Sequence, residues 1–219
     1  MAWVALAPLL AALGETTLRR AFVLGWVSGV VYFTGTLYWI TRVMAVYGDL
    51  QPVVATLVNA LLIVYLALFP ALFAVVVRRL VVSYGRRALL LSPLVWVSTE
   101  LGRTYLLTGF PWVLLGYSQV SVLPVAQGAS LFGVYGLSGL VAAVSATIAY
   151  AVGPAAVGPA IGGPAKGGIG GAGKAGPYVG SLPLIVVLVL VFCLAGWGSF
   201  RVARGELTSG GTPVRVALV

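Results

Sequence analysis

Residues 53–77 read VVATLVNALLIVYLALFPALFAVVV, and the charge-free stretch around them extends from 50 to 77. A helix needs about 20 apolar residues, each rising about 1.5 Å, to cross a hydrocarbon core about 30 Å thick. This run exceeds that length and is apolar on every side, as a helix surrounded by lipid must be. Asn59 and Pro70 are its interruptions, and Pro70 is tolerable because neighbouring helices can satisfy the carbonyl it frees. Working outward, residues 21–41, 104–165 and 175–200 are also free of charge. Of the 219 residues 61% are hydrophobic and only 8% charged, against about 25% charged in soluble domains. A soluble fold is excluded, and so is disorder outside one segment.

The net charge of +9 does not point to nucleic acid. A nucleic-acid binder gathers its Lys and Arg on a water-facing surface, whereas here they stand in small groups between apolar runs, as topology signals do. No nucleic-acid partner is expected. The single cysteine, Cys193, lies inside an apolar run, and histidine is absent. Ser-His-Asp and Cys-His catalysis and His-based metal sites are therefore excluded within this chain. No cofactor or metal is expected.

Met1–Leu13 is apolar but short, and Arg19 and Arg20 follow it, the reverse of a signal peptide. It reads as the tail of a membrane helix, with an interfacial helix as the alternative. Full spans are predicted at Ala21–Thr41, Val53–Val77, Ala88–Leu107, Val134–Val152 and Leu182–Phe200. Residues 108–133, rich in Gly, Pro, Ser and Gln, predict irregular or short helical structure. Residues 153–180 are a Gly/Ala/Pro linker. The expected fold is an all-α polytopic transmembrane bundle over 1–200, with five full spans and a partial N-terminal helix. Residues 201–219 then form a connector and a lone strand, Val214–Val219, that lacks a pairing partner. Alternating crossings collect Arg19, Arg20, Arg78, Arg79, Arg86, Arg87, Lys166 and Lys174 on one side, which the positive-inside rule makes cytoplasmic. The 108–133 loop and the C-terminal end then face outward.

Glu100 and Arg103 share a helix face and can pair. Ionisable residues inside a membrane span are functional candidates by default; these two either lock their helix to its neighbours or meet a lipid headgroup. Gly109-Phe110-Pro111-Trp112 followed by Gly116-Tyr117-Ser118-Gln119 is the densest signature in the chain. Its Pro and Gly break helicity while Trp and Tyr favour the membrane–water boundary. It is either an anchoring re-entrant turn or a lipid-access element. Gln127 and Tyr135 are further polar candidates, with ordinary packing the plainer explanation for both.

These residues carry a resemblance. Ser92-Pro93-Leu94-Val95-Trp96 with Thr99, Glu100 and Arg103, then the 109–119 signature, Gln127 and Gly133-Val134-Tyr135-Gly136 resemble the membrane domain of bacterial apolipoprotein N-acyltransferases. Gly25-Trp26 and Tyr38-Trp39-Ile40 fit as well, and Val214–Val219 looks like the first strand of that family's nitrilase-like domain. The resemblance implies a bacterial inner-membrane enzyme with two substrates, a phospholipid acyl donor and a diacylglyceryl-modified lipoprotein acceptor. An acyl chain passes to a cysteine thiol as a thioester and then to the N-terminal cysteine amine of the lipoprotein. A Glu-Lys-Cys triad does this chemistry, and the resemblance places it in a nitrilase-like domain expected after residue 219. Cys193 sits in a span and Lys166 and Lys174 in the linker, so no catalytic residue is assigned here and the chain alone is expected to be inactive. The chain is expected to be truncated at both ends relative to that family. Glu100, Arg103, Phe110, Pro111, Trp112, Tyr117, Gln119, Gln127 and Tyr135 remain candidates for substrate or lipid access. A non-enzymatic membrane protein, such as a small transporter or scaffold, is the alternative; against a transporter, the 109–119 signature has no counterpart in the first half of the chain.

Overall fold

The computed structural model of the chain describes residues 2–152 and 181–205, and every regular element among them is helical. In chain order these are α1 (Ala7–Leu13), α2 (Leu18–Val46), α3 (Pro52–Leu66), α4 (Leu68–Tyr84), α5 (Ser92–Tyr105), α6 (Leu123–Ala126), α7 (Ala129–Val152) and α8 (Leu182–Arg204). Short 3-10 turns cover Ala2–Val4, Arg86–Leu91, Leu106–Thr108 and Leu115–Gln119. Proline occupies the first turn of α1, α3, α5, α6 and α8, where its fixed φ suits the helix and its missing N–H costs nothing. Thr17 caps α2 instead, its hydroxyl accepting from the Arg20 amide. The division between α3 and α4 follows from Pro70, which cannot donate to the carbonyl of Leu66, the last residue of α3.

Four helical stretches among the described residues are long and apolar enough to cross a membrane: Leu18–Val46, Pro52–Tyr84, Ala129–Val152 and Leu182–Arg204. The expected fifth, Ala88–Leu107, is not such a span. Its first residues form part of the 3-10 turn Arg86–Leu91, and α5 that follows has 14 residues. At about 1.5 Å per residue α5 is about 21 Å long, short of the hydrocarbon thickness. Ser92, Glu100 and Arg103 of α5 are buried in protein, Thr99 and Thr104 half-buried, and Ser98 is exposed. The predicted linker 153–180 and terminal strand Val214–Val219 lie outside the described residues.

The N-terminal segment belongs to the core. Leu10 and Leu13 of α1 are fully buried in a cluster with Phe73, Val77 and Val141 from α4 and α7. Ser145 on α7 donates to the Trp3 carbonyl and accepts from the Leu6 amide, fixing this short segment against α7. A second cluster joins α2 and α3 through Phe33, Leu37, Ile63 and Leu66. The outer surface is apolar, with Val53, Leu57 and Leu61 of α3 and Ile185, Val189 and Phe192 of α8 exposed, as a lipid-facing bundle requires.

Two glycines bring α2 onto α4. A Cβ at Gly25 would lie 2.5 Å from the Pro70 carbonyl oxygen and 2.8 Å from Ala71 Cα; at Gly29 it would lie 2.9 Å from Ala67 Cα. This spacing of small residues lets two backbones touch. One end of the bundle is tied by arginines. Arg78 Nη1 donates to the carbonyls of Leu13 and Gly14 at 3.2 and 2.8 Å, and Arg86 Nη2 to that of Ala149 at 2.7 Å. Both satisfy carbonyls at helix C-termini, where a cation also meets the negative end of the helix dipole. At the other end Asn59 donates to the Leu37 carbonyl and the Thr41 hydroxyl, and Arg201 to the Ser130 hydroxyl.

Gly25→Val should force α2 from α4 and cost about 1–3 kcal/mol, as overpacking does. Gly35→Ala, where an added Cβ meets nothing within 4 Å, should be neutral. Thermal unfolding of both variants in detergent measures the contrast.

Candidate functional site

α5 carries Trp96, Glu100 and Arg103 along one face, by the three- and four-residue spacing of a helix. Glu100 is 3% exposed and Arg103 4%. Glu100 Oε1 accepts from Trp96 Nε1 at 3.0 Å and from the Leu115 amide at 2.7 Å. Arg103 Nη2 donates to the Val113 carbonyl at 3.5 Å, and its guanidinium lies 5.2 Å over the Phe33 ring. The two charges thus neighbour one another; Glu100 bonds Trp96 of its own helix and Leu115 of the segment that follows α5, Arg103 bonds Val113 of that segment, and no hydrogen bond joins the two directly.

That segment re-enters the protein. The Phe110 amide donates to the Arg103 carbonyl at 2.9 Å, and the Gly116 amide to Ser138 Oγ on α7 at 2.8 Å. Leu114, Leu115 and Gly116 are buried. Gly116 passes so close to α7 that a Cβ would collide with the Val134 carbonyl. Tyr32 on α2 donates to the Val113 carbonyl at 2.9 Å. Val113 has φ 52° and Leu107 φ 49°, a left-handed conformation that is costly for a β-branched residue such as Val113. The bonds from Tyr32 and Arg103 hold Val113 there.

Above these anchors the loop presents aromatic surface. Trp112, 51% exposed, stacks on Trp39 of α2 with ring centroids 5.2 Å apart and 18° between planes. Phe110 packs on Trp112 at 5.9 Å. Pro111 and Tyr117 are exposed beside them in the chain. Gln119 is buried, its amide nitrogen donating to Ser118 Oγ. Tyr135 on α7 shares a 2.8 Å hydrogen bond with Thr104 on α5. Gln127 stands apart, half-buried at the end of α6 next to Gly128, which packs against Leu194 of α8.

Glu100, Arg103, Phe110, Trp112 and Tyr135 are thus joined by one set of contacts. Sequence reasoning missed Tyr32, Trp39 and Ser138 as parts of it. Tyr32 and Trp39, seven apart on α2, lie on one helix face, a signal that was present. Ser138 carried no signal beyond its small size. No group of three or more His, Cys, Asp or Glu that could hold a metal ion occurs among the described residues. Cys193 is exposed on α8. The arrangement can hold an apolar or amphipathic molecule against the aromatic platform; it contains no nucleophile–base pair.

Glu100→Leu removes the acceptor of the buried Leu115 amide, which costs about 1–3 kcal/mol when left unpaired, and of the part-buried Trp96 indole N–H. Limited proteolysis should then cut the 106–114 segment faster, and the thermal midpoint should fall. Val113→Gly, which relieves about 1–2 kcal/mol of left-handed strain, should leave that midpoint unchanged or higher.

The sequence model of the apolipoprotein N-acyltransferase N-terminal domain matches residues 1–147. The apolipoprotein N-acyltransferase of Geobacter metallireducens is 42% identical over 220 residues, covering 100% of this chain and 38% of that protein. Those of Pasteurella multocida and Vibrio cholerae are 38% identical over 134 residues and 32% over 145, covering 61% and 66% of this chain and 24% and 28% of theirs. The chain therefore spans well under half the length of these relatives. The matched region contains α1 to α5, the re-entrant loop and most of α7. The chain belongs to the apolipoprotein N-acyltransferase family and corresponds to its N-terminal membrane domain.

Proposed function

We propose that the chain forms the membrane part of an enzyme that moves an acyl chain from a phospholipid, through a cysteine thioester, to the N-terminal cysteine amine of a diacylglyceryl-modified lipoprotein. The observation that carries this reading is the loop 109–119, pinned from beneath by Glu100, Arg103 and Ser138 while Trp112 and Tyr117 stay half-exposed. A rigid aromatic platform at a membrane boundary suits acyl chains and their glycerol ends, because Trp and Tyr combine an apolar body with a polar handle. Glu100 and Arg103 act through the loop. Their burial leaves no face for a lipid headgroup, so of the two roles expected for them, locking is favoured.

By itself the chain does not catalyse the reaction. Its one cysteine is in a membrane helix and both of its lysines, Lys166 and Lys174, are in the Gly/Ala/Pro linker. It lies in the bacterial inner membrane with the Arg78 and Arg86 end cytoplasmic, by the excess of arginine there, and the loop end outward. Gathering Gly14, Arg78, Arg86 and Ala149 at one end of the bundle supports the alternation on which that orientation rests.

In the full-length protein Trp112→Ala should slow acyl transfer about 2- to 12-fold, the equivalent of one aromatic pair worth about 0.5–1.5 kcal/mol, with membrane insertion intact. Unchanged transfer at normal insertion would remove the platform from the mechanism. A periplasm-dependent reporter such as alkaline phosphatase, fused after Val219, should be active; an inactive fusion with an active cytoplasmic reporter at the same place would invert the orientation.

A further inference from the structure

Glu100, whose carboxylate also has the Ser138 hydroxyl beside it, and Arg103 each keep one buried polar atom that makes no hydrogen bond in the structure, the carboxylate oxygen Oε2 and the guanidinium nitrogen Nη1. Both residues line one small cavity of about 20 Å3, whose walls include Tyr32, Phe33, Thr99 and Val113. A carboxylate oxygen only accepts and a guanidinium nitrogen only donates. A ligand that satisfies both must therefore donate on one side and accept on the other. About 10–15 Å3 is enough for one water molecule, and a buried water needs 2–4 polar partners. A cation in this space would face Arg103 and an anion would face Glu100, so neither charge sign fits.

We propose that this cavity binds a single water molecule, which donates to Glu100 Oε2 and accepts from Arg103 Nη1. The hydroxyls of Tyr32 and Thr99 give their hydrogens to the carbonyls of Val113 and Trp96, and each keeps an acceptor site on the cavity wall. The water completes a chain from the Leu115 amide through Glu100 and Arg103 to the Val113 carbonyl. The two inner anchors of the loop are thereby tied to each other without a direct ion pair. This site stands whether or not the chain serves acyl transfer.

Solid-state NMR of the full-length protein in lipid bilayers, with arginine side-chain nitrogens labelled, tests it by polarisation transfer from water protons. The expected result is a water cross-peak at the Arg103 guanidinium that is lost in Thr99→Leu, whose longer side chain takes up the cavity, while the Arg19 peak is unchanged. An Arg103 guanidinium with no water cross-peak beside a normal Arg19 peak would overturn the proposal. A density map of the unaltered protein gives an independent reading. A solvent peak about 2.6–3.2 Å from both atoms supports the site, and direct Glu100–Arg103 contact eliminates it.

Discussion

Lipid offers no hydrogen-bond donors or acceptors, so irregular backbone at membrane depth survives only where protein groups satisfy it. Backbone buried in protein obeys the same constraint; Leu114, Leu115 and Gly116, which follow α5, are buried, and the rest of the site follows from how this segment's groups are met. Glu100 takes the Leu115 amide, Ser138 the Gly116 amide, and Arg103 and Tyr32 share the Val113 carbonyl. Three helices, α2, α5 and α7, each contribute. Without these bonds the segment would have to leave the bundle, and the aromatic surface it carries would lose its position.

The same constraint explains why a carboxylate and a guanidinium are buried a turn apart. A buried charge is costly unless it is hydrogen-bonded and paired, and both side chains are buried. Each is bonded to the loop, and their proximity offsets part of the desolvation each incurs. The left-handed Val113 is held by the same pair of donors that fix its carbonyl. Backbone strain of this kind persists where surrounding bonds over-determine it.

Much of the fold was legible in the sequence because apolar length is a local property. The runs around 21–41, 53–77, 134–152 and 182–200 each became a long helix, or a helix pair broken at Pro70. Ala88–Leu107 came out as part of a 3-10 turn followed by the 14-residue α5 rather than as one long helix, with Ser92, Glu100 and Arg103 buried against protein. The candidate site was half legible. Glu100, Arg103 and Trp112 stand out by type, since charge and indole are conspicuous in an apolar chain. Tyr32 bonds a carbonyl 81 positions away, and Ser138 an amide 22 away. No local pattern encodes such pairings; they arise only once α2 and α7 are packed. The Gly25 and Gly29 spacing was a readable packing signal whose partner helix was not.

The arginine doublets carry a further consequence. In Arg78-Arg79 and Arg86-Arg87 the first member reaches inward to a helix carbonyl, and the second is exposed. All four carry the kind of charge that the positive-inside rule counts irrespective of contacts. In the folded chain the inner pair ties segments far apart in the sequence, while the outer pair is exposed. The doublets thus set a topology signal beside a fastening at adjacent positions. A lysine would keep the charge of the outer arginines, whereas the inner ones use a guanidinium geometry that lysine does not reproduce.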